Sequence, residues 1–300
     1  MSFSLNLLLD FEQMFQFQFM RHAFEAGTMV AIVAGMVGYF VVLRRSSFAA
    51  HALSHIGFAG AAGAVLCGIS PVLGMLVFTT IGGVGITVLS PRASDRDVQI
   101  GIVLSFMLGL GVLFISLYSG YATEAYSILF GEILGISTAD VLVTIVATVV
   151  ILCAFAVVYR PLLFSSLDED VAEAKGLHMR TLGIVFMLLV AVATSVSVQV
   201  VGVLLIFSLM VTPAAIAQRL SAKPSHAVVL SVIISLFATW LGLFVAFYEP
   251  YPVSFFITAI VFVIYVLIRL VQPRVTAIKA RHSAPQGIHE NQAIRSDTAA

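Results

Sequence analysis

Nine stretches of this chain run for about twenty residues with almost no charge, and that repetition constrains the fold more than any single motif. They are Ala23–Leu43, Ala52–Ile69, Val72–Leu89, Val98–Leu117, Ala139–Val158, Thr181–Ser197, Val200–Ala217, Ala227–Phe247 and Val253–Leu270. A helix of about 20 residues spans the roughly 30 Å hydrocarbon core of a bilayer. Only 10% of the 300 residues are charged and 60% are hydrophobic, against about 25% charged in a soluble domain. So few charges cannot cover a water-facing surface, which leaves an all-α polytopic membrane bundle of about eight or nine crossings. The breaks at Ile69-Ser70-Pro71 and at Ser195–Gln199 are the softest divisions.

The arginines and lysines sort by side. With nine crossings, Arg44/Arg45, Arg92/Arg96, Arg160/Lys175/Arg180, Arg219/Lys223 and the tail from Arg269 share one face, and Arg21 alone lies on the other. Random placement would not produce that division, whereas the positive-inside rule requires it. It predicts an outside N-terminus and a cytoplasmic C-terminus. The opposite loops, 118–138 and 248–252, contain Glu124, Glu132 and Glu249 but no Lys or Arg. Equal numbers of acidic and basic residues argue against nucleic-acid binding. Cys67 and Cys153 sit in apolar runs and read as buried small hydrophobes.

Outside the crossings, residues 1–20 lack the basic start of a cleavable signal peptide, and their Phe/Leu spacing suggests an interfacial amphipathic segment. The connection 160–180 reads as a short helix. Ser166 or Asp168 is placed to cap it, acids fill its first turn, and Gly176 sits where a left-handed C-terminal residue belongs. The run YSILFGEILGIS is too apolar for a solvated loop and suggests a re-entrant or interfacial helix. From 273 to 300 the chain turns polar and reads as a disordered tail.

The chain lacks a phosphate-cradling P-loop, a Ser/His/Asp set and an H-E-x-x-H motif, so an enzymatic reading has little support. The sharpest chemical feature is FAAHALSHIGFAGAAG. His51 and His55 are four apart, so a helix places them on one face with Cβ atoms about 5–6 Å apart. That spacing suits two imidazoles converging on one divalent cation. His55 lies ten residues past Arg45, which is about 15 Å into the membrane. An ionisable side chain at that depth points to a transport path. The plain alternative is a pair of histidines hydrogen-bonded to neighbouring helices. Gly57, Gly60 and Gly63 read as close-packing positions. Glu25 reads as the ion-pair partner of Arg21, and Glu249 as a solvated loop acid or a carboxylate ligand. Pro213 should kink its helix, since its ring removes a backbone hydrogen bond, and Met36, Met75, Met107 and Met210 read as packing.

The runs FMRHAFEAG, VGYFVVLRRSSFAAHALSHIGFAGAAG, ILFGEILGIS, SLDEDVAEAKGL, VQVVGVLLIFSLMVTPAAIAQRL and FYEPYPVSFFIT occur in that order over residues 19–270. Together they resemble the ABC-3 family of zinc, manganese and iron importer permeases. The resemblance implies a type II ABC importer permease-like bundle in a bacterial inner membrane, forming a homodimer. It also implies two cytoplasmic ATPase subunits and an extracytoplasmic metal-binding protein as partners. Ser166, Leu167, Asp168, Glu169, Asp170, Val171, Ala172, Glu173, Ala174, Lys175, Gly176 and Leu177 match the family's ATPase-coupling helix. The family's SH histidine maps to His55. The family's Gly-Asp four residues earlier is Ala50-His51 here, and its Asp-Leu-Pro turn is Glu249-Pro250-Tyr251. Imidazole in place of carboxylate favours zinc over manganese.

These features lead to the expectation of a transport subunit without its own nucleotide site or cofactor. A divalent ion, zinc first and manganese or iron second, would pass His51 and His55, with Glu249 at the outer turn as a third candidate ligand. Three rivals stand beside it: a proton-coupled secondary transporter, a vitamin or chelate permease, and a structural scaffold.

Overall fold

The computed structural model describes residues 13–89, 96–118, 127–249 and 251–282. Among these the regular structure is helical: α1 (Gln18–Leu43), α2 (Ser47–Leu66), α3 (Pro71–Leu89), α4 (Arg96–Ser116), α5 (Thr138–Leu167), α6 (Glu169–Ala174), α7 (Met179–Leu220), α8 (Pro224–Tyr248) and α9 (Val253–His282). Helices satisfy their backbone groups internally, as hydrocarbon demands. Eight of them are long and apolar enough to cross a membrane.

The longest, α7, has 42 residues and would measure about 63 Å if straight, twice the hydrocarbon thickness. It is two helices meeting at Gly202, whose φ of 82° and ψ of 164° are non-helical. The arms run in opposite directions. In the first arm, Gly183 and Met187 lie against Thr87 and Gly83 in the last turns of α3. In the second, Met210 packs on Gly38 and Gln218 donates to the Tyr39 carbonyl at 3.1 Å near the end of α1. Both ends of α7 therefore lie on the face where Arg44, Arg45 and Arg180 border one cavity, while Gly202 lies at the opposite face. The two expected crossings Thr181–Ser197 and Val200–Ala217 correspond to these arms, and the break falls at Gly202 rather than at the polar step before it.

Gly202 sits backbone-on-backbone against Phe130 and Gly131. Here the apolar loop packs against α7: a helical turn at 127–130 ends at Gly131, φ 76°, followed by a tight turn into α5. Positive φ costs a side-chain-bearing residue about 1–2 kcal/mol, and a Cβ on either glycine would overlap the other segment's backbone. Two neighbours hold the crossing. Ser254 donates to the Phe130 carbonyl at 2.8 Å, and Gln199 donates to Asp140 at 3.0 Å in the first turn of α5.

Helices α1, α2 and α7 form the interior, each about two-thirds or more buried, and α3, α4, α5 and α8 surround them at under 40%. The outer helices expose Val98, Ile102, Phe106 and Val157, a surface that only lipid or another apolar partner can cover. Gly60 of α2 packs directly on Gly74 of α3, and Gly63 lies under Phe114, so the expected close-packing glycines do pack closely. Pro213 lies inside the second arm of α7; Leu209, whose carbonyl loses its partner to the proline, accepts from Ser235 at 3.5 Å.

Several expectations change. Cys67 and Cys153 are free and exposed, because an apolar setting in a membrane chain includes its lipid-facing side. Arg21 and Glu25 are both exposed and form no ion pair among the described residues. Helix α5 continues through Arg160-Pro161 to Leu167, shortening the expected loop. Residues through Phe262 make one compact unit and Val263 onward a second. In the second, α9 runs on to His282 rather than ending at 273, since Ala277, Ala280 and the lysine between them favour helix. Arg92, Glu124, Pro250 and residues 283–300 lie outside the described residues, as do residues 1–12 of the expected interfacial segment.

Candidate metal centre

Helix α1 ends at Leu43, Arg45 at φ 52° turns the chain back, and Ser46 leads into α2. His51 and His55 follow on the first and second turns of α2. Because α2 starts at Ser47, His55 lies about 12 Å along a helix of about 30 Å. It is thus nearer the arginine-rich face than the midplane expected from Arg45.

The two imidazoles are half-buried neighbours, with ring centroids 4.7 Å apart at 84°. Each Nδ1 is buried and has no hydrogen-bond partner among the described residues, so the alternative of histidines bonded to adjacent helices has no support at those atoms. A buried imidazole nitrogen left unpaired costs roughly 1–3 kcal/mol, a cost that a cation would relieve. Two imidazoles on one tetrahedral ion at about 2.0–2.1 Å have centroids about 5 Å apart, close to the observed separation. The edge-to-face arrangement leaves a ring rotation between this geometry and shared ligation.

Phe207 of the second α7 arm packs on the His51 ring at 4.6 Å. Sequence reading missed it, because only the reversal at Gly202 brings that arm to α2. Apolar walls of this kind lower the local dielectric and strengthen ligation.

Glu249 is not part of this centre. It is the exposed C-cap of α8, at the end where Phe247 stacks on Phe17 before the start of α1. Some 25 helical residues, about 37 Å, separate it from the arginine-rich end of α8. Among the described residues no three His, Cys, Asp or Glu side chains come together as a metal cluster. The helical period that pairs His51 with His55 says nothing about a residue six helices later.

At the arginine-rich face, α6 occupies Glu169–Ala174. Asp168 caps it, its Oδ1 accepting from the Val171 amide at 3.0 Å. Gly176 has φ 86°, and the Leu177 amide reaches back to the Ala172 carbonyl at 3.1 Å, closing the helix as the glycine position suggested. Ser166 and Leu167 belong to the last turn of α5 instead. There the Arg44 guanidinium donates to Ser165 at 3.0 Å and Ser166 at 3.2 Å and lies over the Phe186 ring at 5.3 Å. Asp170, Val171, Glu173, Ala174 and Lys175 are exposed, while Ala172 is buried beneath them.

Residues 16–272 match the ABC 3 transport family. The chain is 32% identical over 241 residues to the manganese transport system membrane protein MntC of Listeria monocytogenes, covering 80% of this chain and 86% of that protein. It is 26% identical to the high-affinity zinc uptake system membrane protein ZnuB of Haemophilus influenzae, covering 78% and 90%. The solved structure of PsaBC from Streptococcus pneumoniae in complex with Fab superposes with a TM-score of 0.79 at 28% identity, over 88% of this chain and 95% of that one.

Proposed function

The chain belongs to the ABC 3 transport family, and from that premise we propose that it is the membrane permease of a metal-ion ABC importer, with zinc as its first cargo. As a transport permease subunit it is not an enzyme by itself. One observation carries the choice of ion: two adjacent imidazoles whose Nδ1 atoms are both buried and have no hydrogen-bond partner among the described residues. Imidazole is a borderline-soft donor that suits zinc better than manganese, which prefers oxygen. Manganese is the second reading, supported by the Listeria relative's name.

In this reading the chain pairs with a second copy and with two cytoplasmic ATPase subunits, and an extracytoplasmic protein delivers the ion. The arginine-rich face is cytoplasmic by the positive-inside rule, with the N-terminus outside and the membrane a bacterial inner membrane. Helix α6, with the flanks Ser166–Leu167 and Lys175–Leu177, is the ATPase contact. Its exposed acids and Val171 offer the docking face, and Arg44 ties the adjoining α5 turn to the start of the histidine helix. ATP binding would then move α2 and the ion's ligands together. Glu249, at the outer end, acts as an entry-side carboxylate rather than a partner of His51 and His55.

Uptake of radioactive zinc and manganese by cells carrying His51→Ala, His55→Ala or Glu249→Ala tests this reading. Loss of uptake in the histidine variants supports the centre. Wild-type uptake in both would remove it. Transport by the chain alone in vesicles, without ATP or an ATPase, would replace the importer with a secondary transporter.

A further inference from the structure

The arginine-rich face contains a cavity of about 860 Å³, walled by the end of α1, the α1–α2 turn, the end of α3, the last turn of α5 and the start of α7. Arg44, Arg45 and Arg180 border it, with Glu169 as the opposing carboxylate. Among the described residues lining it, three guanidinium groups against one carboxylate leave an excess of two positive charges. The three arginines are not equivalent. Arg44 is held in place by Ser165, Ser166 and the Phe186 ring. Arg45 and Arg180 are exposed, and their side chains have no hydrogen bond or ion pair among the described residues.

Backbone groups add to the same field. The N-caps of α2 and α7, Ser46 and His178, make no side-chain cap bond. Ser46, Met179 and Arg180 line the cavity, so the uncapped first turns of two helices adjoin it. Helix starts carry partial positive charge and free amide donors. Arg45 also keeps a left-handed backbone at φ 52°, which costs a non-glycine residue about 1 kcal/mol or more.

We propose that this cavity is a phosphate-binding site, filled by the phosphodiester of an anionic phospholipid headgroup or by free phosphate. Phosphate oxygens match the guanidinium fork, and the unpaired Arg45 and Arg180 supply two such forks. Arg44 is the fixed positive charge behind them. The hydroxyls of Ser46, Thr87, Ser165 and Ser166 already donate to backbone carbonyls, so recognition falls to the arginines and the helix amides. Occupancy would brace the start of α7 against the turn that precedes the histidine helix. Neither His51 nor His55 lines the cavity, so the proposal does not depend on which ion is carried.

The test uses the full chain purified with native-like lipid. Phosphatidylglycerol retained after delipidation is counted by native mass spectrometry for wild type, for Arg45→Gln/Arg180→Gln, and for Arg160→Gln/Lys223→Gln. The last pair removes equal charge from basic residues that do not line the cavity. A parallel arm measures thermal stabilisation by inorganic phosphate in neutral phosphatidylcholine nanodiscs. A drop of about tenfold in retained phosphatidylglycerol confined to the cavity pair assigns the lipid. Saturable phosphate stabilisation lost in that pair assigns the free anion. Equal losses in both pairs, or no effect of either ligand, would overturn the site. If the double variant does not fold, Arg45→Lys and Arg180→Lys keep the charge but lose the fork. Each should then reduce retention severalfold, and wild-type retention in both would overturn the proposal.

Discussion

Gly131 and Gly202 cross with their backbones in contact, each at positive φ, and that crossing lets α7 turn back on itself at the face opposite the arginines. Through this reversal Phe207 reaches His51. The packing of the candidate centre is thus set at a point on the other side of the bundle.

Gly202→Ala and Gly131→Ala should each destabilise the chain by about 3 kcal/mol or more. The left-handed backbone contributes about 1–2 kcal/mol, and steric overlap with the facing backbone adds the rest. Thermal unfolding in detergent reads this directly. Gly85→Ala is the control, since a Cβ added there would meet no atom of the described residues within 4 Å; its melting point should stay near wild type.

His51→Ala and His55→Ala should each lower zinc uptake by at least about tenfold, a loss that even outer-shell partners of a metal ligand can cause. Protein levels in the membrane should hold, because both rings are half-exposed. Glu249→Ala should have a smaller effect that is overcome at higher zinc concentration, as its position at the far end of α8 implies. An equal loss in all three variants would count against their separation into a centre and an entry residue.

His51→Asp should shift preference toward manganese, measured as the ratio of manganese to zinc uptake. A carboxylate replaces a borderline nitrogen donor with the hard oxygen that manganese favours. An unchanged ratio would mean that the ion does not sense this position.

Acid should weaken metal binding. Ligation needs the neutral imidazole, and protons compete for the same lone pair, so affinity falls as pH falls. The His51→Asp variant should lose less affinity over the same pH drop, because carboxylates protonate at lower pH than imidazoles. Equilibrium binding of zinc to the purified chain across pH provides the comparison.

Asp168→Ala removes the side-chain cap of α6 and should cost about 1 kcal/mol of local helix stability. ATPase association with the permease should weaken accordingly, while Asp168→Asn, which still caps, should retain it. Co-purification of the complex with each variant measures the difference. Equal association by all three forms would separate α6 from the ATPase contact.

The sequence alone was enough to reveal the crossings, the gathering of Arg44, Arg45 and Arg180 at one face and the pairing of two histidines. Each rests on local or one-dimensional physics: helical period, apolar length and the sorting of charge. Asp168 and Gly176 were legible as helix ends for the same reason, since capping depends on neighbours within a turn. The side chains misread from the sequence involve the third dimension. Cys67 and Cys153 proved exposed because hydropathy does not distinguish lipid from protein interior. Arg21 and Glu25 have helical pair spacing but do not meet.

What only the tertiary structure decided is which distant segments meet. Gly131 finds Gly202, Phe207 finds His51, Arg44 finds Ser165 and Ser166, and Glu249 is kept away from the histidines. Such contacts arise from helix packing and from one backbone reversal, and no sequence period encodes them. Composition therefore determined the solvent this chain folds in, and packing determined the neighbours of its two imidazoles.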